Sequence, residues 1–113
     1  MKKLPTSKKF KIYKKTRREL SDLFPDAFPR TGKRPALKVG ILDDLKAIEN
    51  LESSITNCRI FLRIWTNSTA YLKSISKKQK RKGLRGENCN EVLISHINEA
   101  KKQLNIRINR RTG

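Results

Sequence analysis

The sequence predicts an α+β domain, mainly helical, with one small β-hairpin, and three observations carry that expectation. Over residues 55–72, Ile55, Cys58, Leu62, Trp65, Thr69 and Leu72 follow one another in steps of three or four, the spacing that puts side chains on one helix face. Between residues 23 and 40, Pro25, Pro29 and Pro35 stop any helix that enters, because proline lacks the N–H and crowds the preceding turn. Leu84, a turn over Arg85-Gly86-Glu87-Asn88 and the run 89–93 then make the pattern of a hairpin.

The chain has 113 residues, room for one domain. A flexible basic arm is expected at 1–18, a folded domain at 19–104 and a basic tail that frays at 105–113. The arm holds Lys and Arg but no acid, and it has too little apolar surface to fold alone. Within it, Phe10, Ile12 and Tyr13 are expected to pack on the body, or to have no fixed role, rather than to stack on a base.

The first predicted helix covers residues 15–24, with Leu20, Leu23 and Phe24 on one side; Leu23, Phe24, Ala27 and Phe28 close its end onto a core. Residues 34–41 read as an extended piece that turns at Gly40. A helix around 42–51 follows, in which Ile41, Leu45, Ile48 and Leu51 recur inward and Asp43 and Asp44 occupy the first turn, where the helix dipole favours acids. Ser53 or Ser54 caps the next helix. Thr66, Asn67, Ser68 and Thr69 all prefer caps to helix interiors, so the helix either stops and restarts there or runs on with polar spots. A restart would offer free backbone N–H groups to an anion, with Tyr71 about one turn inside. A last helix, capped by Ser95, turns Ile97, Ala100 and Leu104 inward and leaves Lys101, Lys102 and Arg107 outward.

With 28 Lys and Arg against 10 Asp and Glu, the net charge is +18, and so small a body carrying it calls for a polyanion, nucleic acid first. Arg59 and Arg63 lie one turn apart, away from the apolar stripe and without an acid at i+3 or i+4; a phosphate-facing pair is preferred to two solvated arginines. Lys77, Lys78, Lys80, Arg81, Lys82 and Arg85 form a further basic run, which a hairpin would hold on a rigid ribbon. No apolar run approaches the ~18 residues of a membrane span. Met1-Lys2-Lys3-Leu4 imitates the start of a signal peptide, but Pro5 and the lysines after it replace the apolar core, so a cytoplasmic protein is expected. Cys58, Cys89 and the single His96 make neither a disulfide framework nor a zinc site, and no cofactor or metal is expected. Asp43 and Asp44 face different ways and are no catalytic pair. A binding protein, not an enzyme, fits these features, which do not separate RNA from DNA.

Several ordered blocks resemble the ProQ/FinO domain of bacterial RNA chaperones. Leu23-Phe24-Pro25-x-x-Phe28 is followed by Arg34-Pro35-x-Leu37-Lys38-Val39-Gly40-Ile41, with Ala36 inserted between the proline and the leucine. The blocks at 39–45, 58–72, 84–92 and 96–104 continue the similarity in the family's order, so that it covers roughly residues 20–104. The resemblance implies a compact, mainly helical fold of about five helices with a small hairpin. It implies an RNA chaperone, monomeric, that grips the base of a hairpin stem and its single-stranded U-rich 3′ tail, as at intrinsic terminators. Such a protein would protect the 3′ ends of small RNAs and mRNAs and promote pairing of small RNAs with their targets.

By the same resemblance Lys38 contacts the RNA backbone, Arg59 and Arg63 line the basic face, and Thr66, Asn67 and Ser68 take the 3′-terminal phosphates. Tyr71 matches the tyrosine of the 3′-end pocket, Arg81 the hairpin arginine with Lys82 beside it, and Lys101 and Lys102 the last basic pair. Gly83-Leu84-Arg85-Gly86 stands where the family commonly has an acidic turn, which makes this hairpin more cationic. The rival expectation is an unspecific basic nucleoprotein component, ribosome-associated or DNA-compacting, bound by charge alone; it predicts no preference for tailed RNA hairpins and a steep salt dependence.

Overall fold

Tyr13, Thr16 and Leu20 stand three and four residues apart, so a helix carries them all on one face. A computed structural model, which describes residues 6–112 and side chains through residue 110, has that helix as α1, Thr6–Leu23. The expected arm is thus helical from Thr6 onward; its residues 1–5, and Gly113 of the expected tail, lie outside the described residues. The reason is packing from outside the segment. The Tyr13 ring stacks on Phe61 at 5.3 Å, and Thr16 and Leu20 are buried, while the lysines keep to the solvated side. Leu23, expected inward, is 52% exposed, because the buried line runs through Leu20 to Phe24. Beyond α1 the Phe24 N–H bonds to Leu20 O and the Phe28 N–H to Phe24 O, a last turn that buries Phe24, Ala27 and Phe28.

The segment after Pro35 runs extended and parallel to β1, Lys80–Lys82. The Lys82 N–H bonds to Ala36 O at 2.7 Å and the Lys38 N–H to Lys82 O at 2.8 Å. Gly40, at φ 84°, takes the left-handed conformation that suits glycine and opens α2, Ile41–Lys46. α2 ends sooner than the expected 42–51. The chain leaves it at Ala47, passes the left-handed Asn50, and is caught by Glu19, whose carboxylate accepts the N–H of Glu52 at 2.6 Å and of Ser53 at 2.9 Å. Ile48 and Leu51 still pack on the core from this loop.

Ser54 caps α3, Ile55–Thr66, by accepting the Asn57 N–H at 3.1 Å. Cys58, Phe61 and Trp65 are fully buried, and Phe28 meets both rings edge-on at 5.2 and 5.6 Å. Of the two readings of residues 66–69, the stop and restart is the observed one: Asn67 ends α3, and Ser68 caps α4, Thr69–Ile75, by accepting the Tyr71 N–H.

β1 pairs antiparallel with β2, Asn88–Glu91, with an irregularity between Lys80 opposite Glu91 and Lys82 opposite Asn88. Leu84, expected just before the turn on the first strand, lies beyond the end of β1 and is buried in the connection instead. That turn requires Gly86, whose φ is 79° and where a Cβ would come 2.9 Å from the Cβ of Asp26. The last helix, α5, runs Ile94–Thr112 and does not fray at 105. It begins ahead of Ser95, which is therefore not its cap; the Ile97 N–H bonds to Leu93 O. α1 and α2 pack on α3, and α4 packs on α5. No helix among the described residues is long and apolar enough to cross a membrane.

Candidate nucleic-acid interface

The extended segment lies between α4 and the hairpin, and Leu37 joins the two. Its N–H donates to the Tyr71 hydroxyl at 3.1 Å, and its carbonyl accepts from Arg81 Nη1 at 2.8 Å. Arg81 Nη2 lies 2.9 Å from Nδ1 of His96 on α5. A guanidinium only donates, so Nδ1 is the acceptor and the imidazole proton sits on Nε2. Arg81 is 9% exposed, and these acceptors are uncharged. A buried cation held by neutral groups keeps its charge for an anion from outside.

Arg81 and His96 are shared walls of two cavities. One, of about 430 Å³, also has Lys38, Val39, Cys89 and Leu93. The other, of about 300 Å³, has Tyr71, Leu72, Ile75 and Gln103. Each includes one carboxylate, Glu91 in the first and Glu99 in the second. Val39 and Leu93 are 72% and 61% exposed, so the larger cavity combines accessible apolar side chains with cationic ones, a combination suited to a nucleotide. Lys38 Nζ lies 2.9 Å from Asp44, whose hydrogen bond and charge hold its ammonium above the ordinary value. The Lys82 side chain meets Asn88, while its backbone secures residues 36–38.

The residues expected to receive phosphates are already engaged. Thr66 Oγ1 donates to Leu62 O, and Ser68 Oγ donates to Trp65 O and accepts from Arg34 Nη1 at 2.9 Å. Arg107, expected to point outward, folds back: it donates to Asn67 O at 2.6 Å, Asn67 Oδ1 at 3.0 Å and Thr69 Oγ1 at 3.0 Å. Two arginines from distant parts of the chain therefore bracket the helix restart. Tyr71, expected to stack on a base, is only 7% exposed and serves first as an anchor for Leu37. Arg59 and Arg63 on α3, and Lys101 and Lys102 on α5, are exposed and line neither cavity. The structure thus brings Lys38, Tyr71 and Arg81 together and leaves those four as separate surface cations.

Sequence reasoning gave no site role to Arg34, Arg107 or His96. Arg34 heads the block at 34–41, which was a usable signal. Arg107 meets a partner 40 residues away and His96 one 15 residues away, and no local pattern announces either.

Residues 11–113 match the profile of the ProQ/FINO family. The structure is similar to that of a ProQ homologue from Legionella pneumophila, at 26% identity over 96% of this chain and 91% of that chain, with a TM-score of 0.68. It is also similar in fold to a FinO-like RNA chaperone from Neisseria meningitidis, at 23% identity over 82% of this chain and 74% of that chain, with a TM-score of 0.65.

Proposed function

The chain belongs to the ProQ/FinO family, and from that premise we propose that it is an RNA-binding chaperone that holds the base of a terminator-like hairpin together with its single-stranded 3′ tail. The observation that carries this reading is Arg81, a buried cation fixed by Leu37 O and His96 Nδ1 between two cavities of nucleotide scale. The terminal nucleotide enters the larger cavity beside Val39 and Leu93. Its phosphate meets the unused N–H groups of Arg81, with the ammonium of Lys38 and the Nε2–H of His96 as further donors. Tyr71 holds the cavity wall through Leu37 and offers the tail what remains of its accessible surface. Thr66, Asn67 and Ser68 contribute by shaping the start of α4, where Ser68 takes the Tyr71 N–H and leaves the amides ahead of it for the tail phosphates. Arg59, Arg63, Lys82, Lys101 and Lys102 neutralise phosphates of the stem.

No covalent step is involved. A 3′ end held in this way is shielded from exonucleases, and a strand whose charge is neutralised approaches its complement with less repulsion, which promotes pairing of small RNAs with targets. This reading places the protein in the cytoplasm with its RNA.

The test compares, at one near-physiological salt concentration, a terminator hairpin with a U-rich tail ending in a 3′-hydroxyl and the same RNA ending in a 3′-phosphate. A fitted end site binds the phosphate form at least tenfold more weakly, ~1.4 kcal/mol. Equal affinities would mean that the +18 charge binds unaided, as in an unspecific nucleoprotein, and would overturn the end-site reading.

A further inference from the structure

α4 separates two differently built sides of the molecule. Tyr71, Leu72 and Ile75 line the cavity shared with Arg81, whereas Ala70, Lys73, Ser74 and Lys77 line another, of about 540 Å³. At 100° per residue the two sets point roughly 150° apart, so these cavities lie on nearly opposite sides of the helix. The second cavity also has Lys33, Arg34 and Lys78, and no acid.

Cations continue from there along α1. Lys14, Arg17, Arg18 and Ser21 stand at i, i+3, i+4 and i+7, and with Arg30 they line a further cavity of about 290 Å³ that also contains no acid. Trp65 links the two: the Arg34 guanidinium lies 3.7 Å from its ring centre and that of Arg17 lies 5.7 Å away. Lys14 and Arg18 are exposed and bond to no other described group. Asp22 pairs with Arg30, and beyond Arg18 the surface turns acidic, where a separate cavity has Glu19, Asp22 and Glu52. Beneath this side, the Ser21 hydroxyl and the Trp65 Nε1–H are both buried without a hydrogen-bond partner among the described residues; Ser21, which can donate or accept, lines the smaller of the two cavities.

We propose that the side formed by α1, residues 30–35 and α4 is a second RNA surface, which holds the sugar-phosphate backbone of another strand while the Arg81 cavities hold the first. The proposal rests on reading the chain as an RNA chaperone and extends it: a protein that carries two strands on opposite sides of one helix brings them to the same place. Backbone recognition is expected because the side offers chiefly cations and hydroxyls; its one exposed aromatic ring among the described residues is Phe10, one turn before Lys14.

The experiment saturates the full chain with the tailed hairpin and then titrates a labelled, non-complementary, A-rich single-stranded RNA whose 3′ end is blocked by phosphate. The expected result is a ternary complex with two RNAs per chain. The triple variant Lys14→Gln, Arg18→Gln, Lys77→Gln changes only exposed side chains. It is expected to weaken the second RNA at least tenfold and to change hairpin affinity less than twofold. Ser21→Ala is expected to weaken the second RNA severalfold while leaving thermal stability equal or higher, since it removes an unpaired buried hydroxyl. Displacement of the hairpin by the second RNA, or unchanged affinity in both variants, would overturn the proposal. So would release of the second RNA by inorganic phosphate at the same phosphate concentration, which would mark a single-ion site. A hairpin that binds alike with either 3′ end would remove the end-site reading alone, because the count of RNAs per chain is read separately.

Discussion

The Tyr71 hydroxyl accepts the N–H of Leu37 at 3.1 Å across 34 residues of sequence, and the carbonyl of the same Leu37 accepts from Arg81. One residue of backbone thereby couples a buried aromatic ring to the buried cation of the candidate site. Tyr71→Phe keeps the ring but strands the Leu37 N–H. It is expected to lower stability by ~1–3 kcal/mol, measured as a shift of the urea midpoint with unchanged slope. If the loss does not appear, Leu37 is held by other means.

Arg81→Ala is expected to weaken binding of the 3′-hydroxyl hairpin by one to three kcal/mol, on the order of a charged contact. Arg81→Lys restores the charge but does not span Leu37 O and His96 Nδ1 with a planar fork, so it recovers only part of the affinity. Anisotropy titrations at fixed salt measure both, and full recovery by lysine would reduce Arg81 to a point charge.

Arg34 combines a guanidinium 3.7 Å from the Trp65 ring centre with bonds to Ser68 Oγ and Trp65 O. Arg34→Ala is expected to cost ~1–3 kcal/mol of stability and to loosen the start of α4. Faster amide exchange at Tyr71, whose N–H is held by Ser68, is the accompanying sign; exchange as slow as in the unsubstituted chain would show that Ser68 caps without Arg34.

Glu19 joins α1 to the start of α3. Burial alone would push its carboxyl up, but hydrogen bonds from Ser53 and from the amides of Glu52 and Ser53, with the charge of Lys15, hold it below the ordinary 4.5. A depressed folded value means that its stabilisation is present above about pH 4.5 and is lost as pH falls through the folded value. Glu19→Gln is expected to lower stability at neutral pH and to flatten this part of the acid profile, read from urea midpoints across a pH series. A profile with the same slope in both proteins would remove Glu19 from the account.

Local chemistry was enough for several elements. The apolar spacing of α3, the cap residues at Ser54 and Ser68, and the left-handed turn at Gly40 each depend on residues within a few positions of one another. The hairpin followed from its turn, although its first strand formed ahead of Leu84. The blocks carrying the family resemblance were likewise contiguous, which is why membership was legible before any geometry.

The remainder came from contacts that leave no periodic trace. α1 reaches back to Thr6 because Tyr13 finds Phe61, and α2 ends early where Glu19 captures the amides of Glu52 and Ser53. The basic tail stays helical where Arg107 ties it to Asn67 and Thr69. Tyr71 and Arg81 were named from the sequence, but that one is an anchor and the other a cation fixed by His96 depends on hydrogen bonds between distant segments. Capping, turn and helix preferences are properties of neighbouring residues and can be read along the chain, whereas a donor's partner is chosen by whatever the folded core brings within 3 Å of it.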